Sequence, residues 1–380
     1  MKVAIDASPL MINRYSGLAE VVHNLLLNFP SGDNISDFTL FMNYFRTVNS
    51  EGGICYPGKN NTFLRLPRRL VDWWWKYNWP PIDYYLQGIN IFHGLHINVP
   101  PAKKIKTILT VHDCRYIALH DLYTSREVAN YRNQMEISLK RVDMVATVSE
   151  FTRQEIIKYF SFPEDRIRTI HNGFSLNPIG NGCNEEKISR FLKDNNIPQL
   201  YLIYTGVLDP RKNLSRLIEA LAVCRKESEV FPELVLIGIT YDQWIRSDQA
   251  GKAKELEIFD NIHVCGVVEK DILYGLTKNA IALCYPSLYE GFGFPPLEAM
   301  SLGVPVLAGK SSSIPEITED AACLVNPESV NDIAHGLNQL VNDSEYRQSL
   351  VELGYRQIKK FSWKKAAGEY LRLYEEVLSS

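Results

Sequence analysis

The chain has 380 residues, of which 46% are hydrophobic and 22% charged, and a formal net charge of −3. This balance is typical of globular domains and excludes both a largely disordered chain and the strongly basic face of a nucleic-acid-binding protein. One hydrophobic core rarely grows beyond ~250–300 residues, so the length predicts two domains.

Apolar runs of strand length alternate with helical patterns along the first half. Lys2–Ile5, Lys106–Val111 and Met144–Val148 are predicted strands, and Ala19–Phe29 is a predicted helix. This alternation favours a parallel sheet with crossover helices. The first apolar run is too short for a signal peptide, and no stretch reaches the ~18 apolar residues of a membrane span. We therefore expect a cytoplasmic protein, with contact to the inner face of the membrane as a further candidate.

The pattern restarts after Asn177–Glu186, a turn-rich segment predicted to link two domains. Further strands are predicted at 201–204, 234–237, 262–264, 281–285 and 304–308, and helices at 214–226 and 296–302. We predict an α/β fold of two Rossmann-like parallel-sheet domains, residues 1–178 and 179–360, facing a central ligand cleft.

An amphipathic helix is predicted over Trp363–Leu378, within a C-terminal segment of residues 361–380. A return of this helix to the N-terminal domain fits the layout. From its spacing alone, packing on its own domain is equally consistent.

Glu290 and Glu298 flank a glycine-rich loop that runs into a predicted helix. Gly291 and Gly293 let the backbone approach a ligand closely, and the two prolines after them suit the first turn of a helix. Amides at a helix start bind anions such as a diphosphate, while carboxylates accept hydrogen bonds from vicinal hydroxyls. Taken singly, either glutamate fits an ordinary surface position; the combination indicates a nucleotide-sugar site.

Two glutamates flanking seven residues, with Gly-Phe-Gly between them, resemble the donor-site motif of family 4 retaining glycosyltransferases, which have the GT-B fold. The resemblance covers most of the chain and is densest over residues 201–327. It implies that Glu298 binds the ribose hydroxyls of the donor nucleotide and that Glu290 lies by the donor sugar. It also implies that sugar and diphosphate contact the loop at Gly291, Phe292, Gly293, Phe294 and Leu297.

Arg211 and Lys212 stand between a predicted strand and helix. Two adjacent cations there can offset the charge that grows on a leaving nucleoside diphosphate, although an exposed basic turn is the alternative. In the family this loop, which includes Gly206, supplies the cations for the diphosphate. Many members carry an arginine directly after the glycine, where this chain has Val207. We expect Arg211 to supply that charge together with Lys212.

Four short segments in the first half match family loops near the cleft. The resemblance implies that His112 orients the donor sugar and that Asp113 braces it or meets the acceptor. Gly17 is expected to let its loop reach the phosphates or the acceptor, although relatives carry a second glycine there. His93 and Ser149 fit acceptor-side and structural roles equally well.

Four of the six tryptophans fall within residues 67–79, beside several bases. Such a segment suits contact with a lipid head-group surface, and packing on the core of the first domain is the alternative. The candidate membrane residues are Arg68, Arg69, Trp73, Trp74, Trp75, Lys76 and Trp79.

The family resemblance implies a retaining transferase that needs neither a metal nor a cofactor. No residue stands out as a covalent nucleophile, which favours front-face displacement. We expect transfer of a hexose, best matched by mannose from GDP-mannose, to a glycan or undecaprenyl-linked glycan of bacterial surface polysaccharide. A UDP-sugar donor, a nucleotide-sugar epimerase and an inactive scaffold are the alternatives. A dinucleotide-dependent oxidoreductase is disfavoured, because neither half carries Gly-x-Gly-x-x-Gly after its first strand.

Overall fold

The computed structural model describes residues 1–12, 17–30, 37–43, 59–64, 68–175, 185–228 and 230–380. It forms two compact units: the first comprises Met1–Gly173 and Phe361–Ser380, and the second Phe174–Lys360. Most of the predicted linker Asn177–Glu186 lies outside the described residues. The side chains of three candidate membrane residues also lie outside the description: Arg68, Arg69 and Lys76.

Seven parallel strands form the sheet of the first unit. In chain order they are β1 (Lys2–Asp6), β2 (Asp37–Asn43), β3 (Lys59–Leu64), β4 (Ile91–Gly94), β5 (Lys106–Val111), β6 (Met144–Thr147) and β7 (Ile167–Thr169). Their spatial order is β3-β2-β1-β4-β5-β6-β7. Strand β5 has five consecutive buried residues, as expected of a parallel strand that is covered on both faces.

In the described part of the first unit, six helices connect these strands. They are α1 (Pro9–Ile12), α2 (Gly17–Asn28), α3 (Arg68–Tyr77), α4 (Arg115–Ala118), α5 (Ser125–Leu139) and α6 (Glu150–Phe160). Helix α5 begins at a capping box, in which the Thr124 hydroxyl accepts from the Glu127 amide and the Glu127 carboxylate accepts from the Thr124 amide.

The sheet of the second unit has six parallel strands. They are β8 (Tyr201–Thr205), β9 (Glu233–Ile237), β10 (Ile262–Val264), β11 (Leu283–Tyr285), β12 (Val306–Gly309) and β13 (Cys323–Val325). The spatial order is β10-β9-β8-β11-β12-β13. The order reverses between β8 and β11, and open α/β sheets bind ligands beyond the carboxyl ends of the strands at such a reversal.

Nine helices accompany this second sheet in the described part of the unit. They are α7 (Glu185–Asp194), α8 (Leu214–Glu227), α9 (Tyr241–Ile245), α10 (Asp248–Glu255), α11 (Lys270–Asn279), α12 (Phe294–Ser301), α13 (Ile314–Thr318), α14 (Val330–Asn342) and α15 (Ser344–Gln357). Helices α8 and α14 contact each other and bury apolar stripes in one core, to which Leu217, Leu221, Ile333 and Leu337 belong.

The last helix, α16 (Trp363–Ser379), belongs to the first unit and packs on α2. Its buried face includes Trp363, Tyr370, Tyr374 and Val377. The predicted Rossmann-like parallel sheets and the return of the C-terminal helix are therefore confirmed. Across the described ranges, no helix is both long and apolar enough to cross a membrane.

Candidate functional site

The loops that follow β8 and β11 meet at the reversal point of the second sheet. After β8, a single 3-10 turn (Pro210–Lys212) precedes α8, and Asp209 begins this turn by accepting a hydrogen bond from the Arg211 amide. The Leu288 amide, in the loop after β11, donates to the Arg211 carbonyl at 2.8 Å. The structure thus brings together the two segments that carry the strongest sequence signals.

Arg211 and Lys212 converge on the carboxylate of Glu290. Arg211 Nη1 donates to Glu290 Oε2 at 2.9 Å, and Lys212 Nζ donates to Oε1 at 2.7 Å. Arg211 Nε also donates to Asp209 Oδ2 at 2.9 Å, and Lys212 Nζ donates to the Tyr285 hydroxyl at 2.6 Å. We call these five residues the Glu290 cluster.

Glu290, Lys212 and Tyr285 are buried and Asp209 and Arg211 are partly buried, so the charges of the Glu290 cluster shift one another's pKa values. Burial raises the pKa of the Glu290 carboxyl, but the charges of Lys212 and Arg211 outweigh it and lower that pKa to about 2. Burial opposes the charge of Arg211 as well, yet Glu290 and Asp209 raise its pKa. Burial lowers the pKa of Lys212, and Glu290 opposes that shift. Glu290 is therefore ionised at neutral pH and cannot donate a proton.

Two serines hold the backbone on either side of Glu290. The Glu290 amide donates to the Ser312 hydroxyl at 2.8 Å. The Ser313 hydroxyl donates to the carbonyls of Glu290 at 2.9 Å and Phe292 at 3.0 Å. Sequence reasoning assigned no role to these serines, nor to Asp209 or Tyr285. An Asp before Pro-Arg is a recognisable turn signal, but nothing local points to the serines.

Helix α12 begins two residues earlier than predicted, because Gly293 ends the preceding loop with φ 110°. A Cβ on Gly293 would lie 2.7 Å from Ile314 Cδ1, so space and backbone conformation both favour glycine. Pro295 and Pro296 occupy the first turn and carry no N–H, so this helix start offers two fewer amide donors than an ordinary one.

The remaining predicted donor residues lie around these loops. Glu298 is on α12 and partly buried, whereas Phe292 and Leu297 are buried. Gly291 and Phe294 are partly buried. The Gly206 amide donates to the Ile237 carbonyl at 2.9 Å.

Thr205, at the end of β8, has a buried hydroxyl without a hydrogen-bond partner among the described residues. Buried polar atoms are nearly always paired, so this hydroxyl is an exception at the carboxyl end of β8. No sequence motif points to Thr205.

In the first unit, His112 and Asp113 follow β5 directly. His112 Nε2 lies 3.2 Å from the Leu95 carbonyl, and burial lowers the pKa of its ring. A carbonyl only accepts, so a neutral His112 carries its proton on Nε2 and presents Nδ1 as an acceptor. The Asp113 carboxylate accepts from the Arg115 amide at 3.2 Å. The predicted contacts of His112 and Asp113 with sugar and acceptor stay predictions.

His93 and Ser149 are both fully buried in the first unit. His93 Nδ1 lies 2.7 Å from the Tyr374 hydroxyl, and Nε2 lies 2.7 Å from Thr110 Oγ1. Ser149 caps α6 by accepting from the Thr152 amide at 3.1 Å. These contacts favour the structural role for both residues. Gly17 begins α2 and is exposed, and the loop before it lies outside the described residues.

The four tryptophans of residues 67–79 lie in different environments. Neither packing on the core nor exposure to a lipid surface describes all of them. Trp74 is buried, and its indole nitrogen donates to the Pro80 carbonyl. Trp73 and Trp79 are 60% and 69% exposed, and Trp75 lines a small cavity. Packing therefore accounts for Trp74 and not for Trp73 or Trp79.

A metal site needs acidic, histidine or cysteine side chains that converge on one point. Within the described ranges, no group of three or more such residues is placed to hold a metal ion.

The chain matches two family profiles: "Glycosyl transferases group 1" over residues 185–357 and "Glycosyltransferase Family 4" over residues 51–177. It is 31% identical to O-antigen chain mannosyltransferase B of Escherichia coli over 286 residues, which cover 75% of this chain and 74% of that protein. It is 26% identical to the serotype-specific mannosyltransferase WbdA of Escherichia coli over 289 residues. That match covers 74% of this chain and 35% of WbdA, so the chain spans about a third of that relative.

The solved structure of sucrose-phosphate synthase from Thermosynechococcus elongatus has a similar fold. The TM-score is 0.74 with 18% sequence identity, and the match covers 100% of this chain and 99% of the synthase. At this identity the likeness concerns the fold alone, which is GT-B as the sequence predicted.

Proposed function

The chain belongs to glycosyltransferase family 4, and on that premise we propose that it transfers mannose from GDP-mannose to a glycan hydroxyl in bacterial surface polysaccharide synthesis. The observation that carries the proposal is the convergence of Arg211 and Lys212 on Glu290 at the reversal point of the second sheet. The choice of mannose is supported by the similarity to O-antigen chain mannosyltransferase B. The acceptor is a glycan or an undecaprenyl-linked glycan.

The donor diphosphate would lie by the Glu290 cluster, with the ribose on Glu298 and the sugar by Glu290. Arg211 and Lys212 are already fixed by Glu290, Asp209 and Tyr285. Cations held in place beforehand stabilise charge on a leaving diphosphate without reorganising during the reaction. Metal-independent catalysis is part of this proposal, and we expect undiminished activity in excess chelator. Strict dependence on manganese would contradict it.

Glu290 is an acceptor of hydrogen bonds in this proposal and not an acid. Its carboxylate has up to four lone-pair positions, of which the two cations use some, so it can also accept a hydroxyl of the donor sugar. The acceptor oxygen would bond to the anomeric carbon on the face from which the diphosphate departs. The acceptor proton would pass to an oxygen of that diphosphate, and the configuration would be retained. Isolation of a covalent glycosyl-enzyme adduct would contradict this pathway.

The two glutamates are distinguished by nucleotide binding. We expect Glu298→Ala to weaken GDP binding by on the order of 10- to 100-fold, because a charge-assisted hydrogen bond to the ribose is lost. Glu290→Ala should weaken it less. The comparison is made by the thermal shift that GDP causes in each variant, measured against the same variant without nucleotide. The control is Glu219→Ala, which should bind GDP like the wild type.

Equal losses in Glu290→Ala and Glu298→Ala would contradict the assigned roles. Stabilisation of the wild-type protein by UDP and not by GDP would replace GDP-mannose with a UDP-sugar donor. Turnover of a nucleotide sugar without any acceptor would instead indicate an epimerase.

Peripheral contact with an anionic membrane is a further part of the proposal. The exposed rings of Trp73 and Trp79 support it, since indole rings favour the boundary between head groups and acyl chains. We expect Trp73→Ser with Trp79→Ser to reduce co-sedimentation with vesicles that contain phosphatidylglycerol. Equal sedimentation of this double variant and the wild type would contradict the contact.

A further inference from the structure

The backbone of His112 and Asp113, directly after β5, is contacted by side chains of two later helices. The Tyr131 hydroxyl of α5 donates to the Asp113 carbonyl at 2.6 Å. The Thr152 hydroxyl of α6 lies 3.5 Å from the His112 carbonyl, which is the limit of a hydrogen bond. The bond from Tyr131 is therefore the stronger of the two.

The side chains of His112 and Asp113 have partners of their own. His112 Nε2 lies 3.2 Å from the Leu95 carbonyl. The Asp113 carboxylate accepts from the Arg115 amide at 3.2 Å, and Arg115 Nη1 lies 3.8 Å from Asp113 Oδ2. The Asp113 carbonyl belongs to the backbone from which both side chains project. The bond from Tyr131 fixes this backbone, and so helps to fix the direction of both side chains.

Tyr131 is itself held in place by the core of the first unit. It is 6% exposed, and its ring contacts the ring of Tyr116 with 5.3 Å between the centroids. Burial raises the pKa of the Tyr131 hydroxyl well above its usual value, so the hydroxyl stays protonated. A carbonyl oxygen only accepts, so the hydroxyl is the donor of this bond.

We propose that Tyr131 is a positioning residue for sugar transfer, because its bond to the Asp113 carbonyl keeps His112 in the orientation that the donor sugar requires. The inference rests on the proposed function and on the role that the family resemblance implies for His112. Tyr131 acts through His112 and Asp113 and is not a catalytic residue. A misplacement of about 1 Å far from the reacting atoms can slow an enzyme by about 100-fold, so such a residue can affect the rate.

The alternative is that Tyr131 stabilises the first unit and does nothing more. Tyr201 provides a matched comparison, because its buried hydroxyl donates to the Leu276 carbonyl at 2.7 Å. It is the first residue of β8, at the end of that strand opposite to Gly206. Tyr131→Phe and Tyr201→Phe each remove one buried hydroxyl and keep the aromatic ring. Both should cost similar stability, so a difference in transfer rate reports on position.

The test measures kcat and KM for GDP-mannose in the wild type, Tyr131→Phe and Tyr201→Phe, at a temperature where all three are folded. We expect Tyr131→Phe to lower kcat by on the order of 10-fold and to change KM by less than about 2-fold. The KM should hold because the residues assigned to the diphosphate and ribose, Arg211, Lys212 and Glu298, are unchanged. Tyr201→Phe should keep the kcat of the wild type.

The orientation of His112 is measured without reference to activity, by NMR of the histidine ring nitrogens. The signal that disappears in His112→Ala identifies the residue. The wild type should show the tautomer with the proton on Nε2. Tyr131→Phe should shift these signals or add the other tautomer, whereas Tyr201→Phe should leave them unchanged.

Several results would overturn the inference while the wild type transfers mannose. They are an unchanged kcat in Tyr131→Phe, an equal fall in both variants, and a rise in KM alone, which would indicate lost ground-state binding. Unchanged His112 signals in Tyr131→Phe would overturn it whether or not transfer occurs. Altered His112 signals in Tyr131→Phe, with no transfer by the wild type, would refute the proposed function and leave the contact of Tyr131 as the cause of the His112 orientation.

Discussion

Glu290 in the second unit and His93 in the first unit are both buried polar residues, but their charge states differ. Glu290 is ionised between two cations, and its pKa is lowered to about 2. His93 is neutral, because burial lowers its pKa to about 3 and the nearby His112 adds to that shift. The charged residues of the Glu290 cluster lie on loops after strands, whereas His93 lies within β4.

Buried polar residues can therefore form either a charged group or a neutral network of hydrogen bonds. The Glu290 cluster brings opposite charges together beyond the carboxyl ends of β8 and β11, where a charged ligand can form ion pairs with them. The neutral network around His93 joins β4 and β5 to Tyr370 and Tyr374 of α16. The first arrangement suits a site and the second suits attachment of a helix, although both positions matched family loops by sequence.

Removal of the Glu290 carboxylate should have the largest effect. Glu290→Ala leaves Arg211 and Lys212 buried without their shared partner, and breaking such a group costs about 3–5 kcal/mol of unfolding free energy. Hydrogen exchange of the β11 amides, Leu283–Tyr285, measures that loss within the second unit. Transfer activity should fall as well.

The matched control is Glu219→Ala, which breaks the partly exposed pair of Glu219 with Lys252 on α8 and α10. Exposed pairs contribute at most about 1 kcal/mol. Similar losses in Glu290→Ala and Glu219→Ala would remove the energetic distinction between the Glu290 cluster and an ordinary surface pair.

Replacement of His93 should have a smaller effect, confined to the first unit. His93→Leu keeps an apolar side chain in the core but leaves the Tyr374 hydroxyl without the partner that His93 provides, at about 1–3 kcal/mol. Amide exchange in α16 should speed up while the β11 amides are unchanged. Loss of transfer without loss of protection in α16 would instead support the acceptor-side role of His93.

Acid should destabilise the two networks in different ranges of pH. Each pH unit should lower the free energy of unfolding by only a small amount. His93 has a lower pKa when folded than its ordinary 6.5, so the unfolded chain binds the proton first and stability falls as pH drops from about 6.5 to about 3. Glu290 stabilises the fold above its ordinary pKa of 4.5, and this contribution is lost as pH falls through about 2. The limiting slope for one proton is about 1.4 kcal/mol per pH unit.

Between pH 6.5 and 4.5, therefore, the titration of His93 should lower the free energy of unfolding of the first unit. The titration of Glu290 should not yet affect the second unit. The measurement is α16 exchange in the wild type and in His93→Leu across that range. If amide exchange in α16 depends on pH equally in the wild type and in His93→Leu, groups other than His93 cause the dependence.

Part of the fold could be predicted because strands such as β5 and β8 are short apolar runs, whereas the polar β3 (Lys59–Leu64) gives no such signal. The bounds of β5 and β10 agree with the predicted Lys106–Val111 and Ile262–Val264. The proximity of Arg211, Lys212 and Glu290 could also be predicted, because each follows a strand of the same parallel sheet.

The partners of these residues could not be predicted. Glu290 and Arg211 are 79 positions apart, and His93 and Tyr374 are 281 apart. Sequence spacing gives no distance between such positions, so it could not separate a buried structural histidine from one that faces a ligand. The charge balance of the Glu290 cluster depends in the same way on tertiary contacts that no motif specifies.

The return of α16 to the first unit has a consequence for the order in which the protein can fold on the ribosome. The core around His93 lacks Tyr370 and Tyr374 until the whole second unit has been synthesised. At ~5–20 residues per second, the interval between Gly173 and Tyr374 is roughly 10–40 s. During that time the nascent first unit exposes the apolar face of α2 that α16 later covers, which makes this face a natural target for a chaperone.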